Sequence, residues 1–429
     1  MRLITTYALM LLALLAQAAH GADEYELPPI EYSRSTADNR VSELQTAIER
    51  GEATLRPESR LGYLQTLLRN LEIRADTQML VFSKTSMQRD RLLPRTPRAI
   101  YFNDDTYVGY CHLGKAIEIA TADPKLGAVF YTLDQNEKPE PTIIRQTQNC
   151  LQCHGATQTD GIPGFLVRSL FVGAGGLPIL SEGSHRVDHT TPIKDRWGGW
   201  YVSGLHGSQT HLGNFVVRDR DAPRPWKNED GLNVVELEDR FSTRNYLTPH
   251  SDIVALLVFE HQTLVHNLIT KASFTARQAL HYETGLNRAL GEPEGKRLES
   301  TTRRIESAGE KLLQGLLMAD EAPLHDRIAG ASEFADKFVQ VGPHDGQGRS
   351  LRDLCLSVRL FKYPCSYLIY SRAFDELPPV MKGYVTSRLQ DILAGRGGEG
   401  FAHLSASDRQ AIVEILQETK PDLWRSPEQ

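Results

Sequence analysis

The sequence has no surplus of positive charge: 48 Lys and Arg stand against 54 Asp and Glu, a formal charge of −6. Nucleic-acid binders normally carry a basic patch or stripe, so the overall balance argues against nucleic acid as a partner. Cysteine is scarce, five in 429 residues, too few for a disulfide-built scaffold. Beyond the N-terminal segment, no uncharged apolar stretch approaches the ~20 residues of a membrane span. A phosphate-cradling glycine loop, a nucleophile elbow and an HExxH pair are all missing. There is no internal repeat and no low-complexity tract. What remains is a composition of 40% hydrophobic and 24% charged residues, ordinary for a soluble chain with a real core. The length allows two or three domains.

Residues 1–22 read as a secretory signal peptide. Arg2 supplies the charge, Tyr7 to Leu15 the apolar stretch, and Ala16-Gln17-Ala18 the small-residue cleavage pattern. The apolar stretch is about half of what a span needs, so the expected product is an exported, periplasmic chain with no membrane span after cleavage.

Three zones follow. Residues 23–75 are polar with two helical patches, one around Leu44, Ala47 and Ile48 and one with a Leu64, Leu67, Leu68, Leu71 stripe. Residues 76–220 hold short β-branched and aromatic runs divided by turn residues, and predict one antiparallel sheet domain. Hairpins are expected at Asp123–Gly127 and at Gly173–Gly176, and a strand at 197–203 whose glycines admit a close neighbour. A polar connection, 221–245, leads to a helical domain over 246–429. There, helices are expected from Ser251 to about Tyr282, over 296–319, 349–374 and 377–394, and after Ser405. The expected fold class is α+β, a β-rich antiparallel domain followed by an all-helical one.

Residues 150–154 read Cys-Leu-Gln-Cys-His. Two thiols three positions apart can add to the two vinyl groups of a haem, and the adjacent histidine then falls under the iron. Chance placement of the five cysteines and fourteen histidines would produce this pattern roughly 0.002 times in such a chain, so the match is specific. A zinc site would need two further ligands, and no second CxxC is present. A redox CxxC pair does not need the histidine.

On these residues and the signal peptide, the chain resembles c-type cytochromes. The resemblance implies one covalent haem c held by Cys150 and Cys153, with His154 as the proximal iron ligand. The small helical cytochromes place a methionine ligand downstream in the same domain, whereas here the first methionine after His154 is Met318. A fainter likeness, resting on strand order, is to periplasmic sensor domains with a PAS-like sheet and one covalent haem.

The sixth position of a haem iron is either open or filled by His, Met, Cys or Lys. The β-rich zone offers Cys111, His112, His185, His189, His206 and His211. His206 is the first choice, with His211 and Cys111 as alternatives, because glycines flank the two loop histidines and let the backbone approach a flat macrocycle. Tyr107, Tyr110, Phe130, Tyr131, Trp197, Trp200 and Tyr201 are candidates for a haem pocket or for sheet core.

His261 shares an apolar stripe with Leu257, Leu264 and Leu268, as a hydrogen-bonded core histidine would. Cys355 and Cys365 are expected to pair in an oxidising compartment. No catalytic acid, base or nucleophile stands out, so whether the chain is an enzyme stays open. The expected function is one-electron transfer through the haem to an unnamed redox partner protein. A haem-based sensor, or an oxidoreductase using the helical domain for its substrate, is the alternative.

Overall fold

The computed structural model describes residues 23–136, 141–222 and 224–424. The expected signal peptide lies outside them. The N-terminal zone forms α1 (Arg40–Glu49) and α2 (Leu64–Asn70). Asn39 caps α1 by accepting from the Val41 and Ser42 N–H groups.

Six strands then run in chain order: β1 (Met79–Val81), β2 (Arg98–Phe102), β3 (Thr106–Cys111), β4 (Ala116–Asp123), β5 (Gly127–Asp134) and β6 (Ile143–Gln146). After a short helical turn, α3 (Leu151–His154), the chain makes β7 (Arg168–Ser169), β8 (His185–Arg186), β9 (Trp200–Tyr201) and β10 (Gly204–Leu205). One antiparallel sheet takes the order β6-β5-β4-β3-β2-β1-β9. The β4–β5 hairpin closes where expected, pairing Asp123 with Gly127, whose φ of +72° suits glycine. The Gly173–Gly176 turn is present but carries isolated bridges rather than paired strands, Val172 with Pro178 and Gly173 with Val217.

The helical half consists of α4 (Ile253–Leu290), α5 (Glu299–Leu316), the strand β11 (Ala329–Gly330), α6 (Phe334–Gln340), α7 (Arg372–Asp375), α8 (Pro379–Asp391) and α9 (Ala406–Thr419). The α+β class is as expected. The expected helix over 349–374 is a correction: most of it is irregular chain, with a Leu354–Phe361 bridge and α7 at its end. Pro364 removes an N–H donor there, and Ser366 and Ser371 each cap a short new turn.

α4 is long and apolar enough to cross a membrane, yet 83% of its most apolar window is buried inside the fold. Asp252 caps its start and Gly291, at φ +69°, ends it. Phe259 on α4 meets Phe102, Tyr107 and Trp200 of the sheet at centroid distances of 5.5–6.2 Å. Sheet and helical half therefore share one apolar core, and β10 pairs with β11 across them.

The sheet has two unlike faces. Register puts Ile117, Ile119, Val108, Tyr110 and Leu133 on one face, buried in the core shared with α1 and α2. The other face carries Arg98, Gly109, Cys111, Ala116, Glu118, Phe130 and Thr132. Along β4 the residues of this second face, Ala116, Glu118, Ala120 and Ala122, are all only half-buried.

Candidate functional site

The Cys150–His154 turn lies on that second face. His154 packs its ring against Phe130 of β5 at 4.8 Å. Gly155 stops the turn, and the chain loops back through Thr159 and Gly161 to Gly164. Gly164 then grips His154 twice: its N–H donates to the His154 carbonyl at 2.8 Å, and its own carbonyl accepts from His154 Nδ1 at 3.0 Å. A carbonyl only accepts, so Nδ1 carries the ring proton and Nε2 keeps its lone pair. Nε2 has no partner among the described residues.

Glycine is required at 164. A Cβ there would sit 2.7 Å from Asn267 Oδ1 and 3.1 Å from the Thr159 Cβ. Asn267, on α4, holds the next residue, accepting from the Phe165 N–H and donating to the Phe165 carbonyl, both at 2.8 Å.

Both cysteines of the turn are free thiols. Cys153 is exposed and Cys150 half-buried, and burial pushes the Cys150 thiol up to about 11. Cys150 Sγ lies 3.8 Å from Met87 Sδ. Met87 is 53% exposed, yet its two neighbours are anchored. Ser86 Oγ and Gln88 Nε2 both donate to Glu118 Oε1, at 2.7 and 3.3 Å, and Glu118 pairs with Arg98 at 2.6 Å. Met87 is the functional candidate that sequence reasoning missed. Met87 precedes His154 by 67 positions, opposite in direction to the downstream methionine of the small helical cytochromes, and its Glu118-anchored neighbours become visible only when β4 is placed.

The structure does not bring His206 or His211 to this turn. Gly204 packs on Ile253 at the start of α4, whereas Gly164 packs on Asn267, fourteen residues on. At the rise of an α-helix that is about 21 Å along the axis. Both histidines are buried elsewhere, 4.7 Å apart ring to ring. His206 Nε2 accepts from the Asn233 N–H at 2.8 Å and His211 Nδ1 from the Gly213 N–H at 3.0 Å. Those lone pairs are spent on the backbone. The glycines at 198 and 199 admit protein, not a ligand: a Cβ on Gly198 would meet the Leu170 carbonyl at 2.7 Å, and one on Gly199 the Ser83 Cβ at 2.8 Å.

Cys111 ends β3 on the same face as Glu118, but it is buried and its thiol is pushed up to about 12 by desolvation. His112 follows β3 in a turn and is half-buried, and His185 is exposed in β8. His189 is buried against α4, its Nδ1 2.9 Å from Nδ1 of His261, whose Nε2 meets Ser366 Oγ at 2.7 Å. His261 is thus a hydrogen-bonded core histidine. Of the aromatic candidates, only Phe130 touches the turn. Tyr107 and Trp200 pack on α4, Trp197 on His211, and Tyr201 on Phe82 and Phe241.

The expected Cys355–Cys365 disulfide is a correction. Both thiols are free. Cys355 sits in a hairpin, its N–H donating to the Leu360 carbonyl and its Sγ 3.4 Å from Ser357 Oγ, while Cys365 is wholly buried beyond the hairpin.

A separate cleft of about 330 Å³ lies between the β2–β3 turn and α6. Arg40, Arg74 and Arg352 in its wall are balanced by Glu72, Asp104 and Asp105. Gln262 and Phe102 line it as well, but no histidine or cysteine does.

No family model, no curated protein and no solved structure matches the chain.

Proposed function

We propose that this chain is an exported c-type haem protein that carries one electron at a time. Cys150 and Cys153 would hold the haem through thioethers and His154 would ligate its iron. The observation that carries this reading is the state of His154: Nδ1 is committed to the Gly164 carbonyl, Nε2 is left without a partner, and two free thiols lie one turn away. A metal-binding histidine typically has its second nitrogen anchored in this way, which sets the tautomer and raises the ligand's basicity. When bound, the haem supplies one-electron redox chemistry.

Met87, whose sulfur lies beside Cys150 Sγ and whose neighbours are anchored on Glu118, would be a further residue to hold the group. A filled sixth position suits a carrier, which should reorganise little on reduction; a sensor or an oxidoreductase needs that position open or weakly held.

The test is acid–acetone extraction of protein made with export. Pigment should stay on the polypeptide, and its mass should rise by one haem. A colourless chain, or haem that extracts, ends this reading. Prompt binding of CO by the reduced protein would keep the haem but replace the carrier with the sensor or enzyme.

A further inference from the structure

The chain is acidic overall, yet the surface around the Cys150–His154 turn is not. Residues 84–98 hold Lys84, Arg89, Arg91, Arg95 and Arg98 against a single acid, Asp90. Arg98 is used internally by Glu118. Arg89 and Arg91 are exposed and follow directly on Met87. Lys115, also exposed, adjoins the same loop, because its N–H donates to Gln88 Oε1 at 2.8 Å. Among the described residues, none of Lys84, Arg89, Arg91 and Lys115 forms an ion pair. These four cations and Asp90 sum to +3, in a chain whose formal charge is −6.

Apolar side chains stand among these charges. Leu113 is 70% exposed at the β3–β4 turn, beside Gln88 through Gly114. Leu177 is 58% exposed on the Gly173–Gly176 turn, which docks on the other flank of the loop, the Lys84 N–H donating to the Gly176 carbonyl at 2.9 Å. Exposed leucines thus flank a loop of unpaired cations, and apolar and cationic side chains share one surface.

We propose that this surface is the docking face for an electron-transfer protein presenting acidic residues beside apolar ones. The inference rests on the haem reading above, since it is that cofactor's edge which would meet the partner. Charge decides the occupant. A second copy of the chain would oppose cation to cation, whereas an acidic partner gains steering from the same field.

The test uses two small oxidants of equal and opposite charge on the pre-reduced full chain. Hexacyanoferrate(III) and tris(phenanthroline)cobalt(III) each take one electron from the ferrous haem, which becomes ferric. Raising ionic strength tenfold should slow the anionic reagent about 3- to 10-fold and speed the cationic one, opposite to what the net charge of the chain dictates. Arg89→Glu with Arg91→Glu should invert both trends while the protein stays folded and pigmented. A pigmented wild type in which the anionic reagent speeds up with salt overturns the docking face alone. A colourless chain overturns the haem reading and this inference together. A dimer that the double variant dissociates, or sedimentation with phosphatidylglycerol vesicles that it abolishes, would give the face to another occupant and also overturn the proposal.

Discussion

Asn267 and Phe165 are joined by a two-way amide clamp, the Asn267 side chain taking the Phe165 N–H and giving to its carbonyl at 2.8 Å each. Through that clamp the longest helix of the protein fixes the loop whose Gly164 carbonyl orients His154. Asn267→Ala should cost about 1–3 kcal/mol, because two buried backbone groups lose their partners. Denaturant unfolding measures the loss. The same variant should shift the haem spectrum or potential, whereas a purely structural role would leave both in place.

Under the proposed haem reading, Met87 and His206 make opposed claims on the sixth iron position. With the ring nitrogens of His206 and His211 accepting from backbone N–H groups away from the turn, His206→Ala and His211→Ala should leave the ligand-field spectrum unchanged. Met87→Ala should remove the sulfur-to-iron charge-transfer band and admit CO. A high-spin shift in His206→Ala with none in Met87→Ala would reverse the assignment.

His266 should make the fold acid-sensitive. Its Nε2–H donates to the Asp104 carbonyl at 2.9 Å, while Nδ1 is buried without a partner. Desolvation therefore pulls the ring down to about 4, from an ordinary 6.5. Because the folded value is the lower one, its contribution is complete above about 6.5 and is lost as pH falls toward about 4. The stability difference between wild type and His266→Gln, followed by urea unfolding from pH 7 to pH 4, should shrink on that limb. A difference constant across the range would show that His266 is not held neutral.

Cys355 and Cys365 should both alkylate when the protein is denatured without reductant. In the native state Cys355 should react first, since Cys365 is wholly buried. A bridged peptide in a non-reducing digest would restore the disulfide.

Local chemistry made much of the molecule legible. Strand positions from Met79 to Leu133 follow from β-branched and aromatic runs, and the β4–β5 turn from Asp123 and Gly127, because each is decided by a few adjacent residues. The start of α4 follows from Asp252, and that of α9 from Ser405, for the same reason. The Cys150, Cys153 and His154 constellation is equally local, three side chains within five positions.

Tertiary structure alone decided the rest. The segment 349–374 lost its expected helix to a hairpin and two capped turns, where long-range packing outweighs a weak apolar stripe. The flanking glycines around Trp197 served backbone packing on Leu170, which no spacing rule distinguishes from room for a ligand. Met87 lies beside Cys150, and His206 does not, for one reason. Sequence distance sets His206 at 52 positions from His154 and Met87 at 67. Space is set instead by Gly204, which packs at the start of α4 two residues before His206, and by a sheet in which β4 presents Glu118 to the loop that holds Met87 beside Cys150.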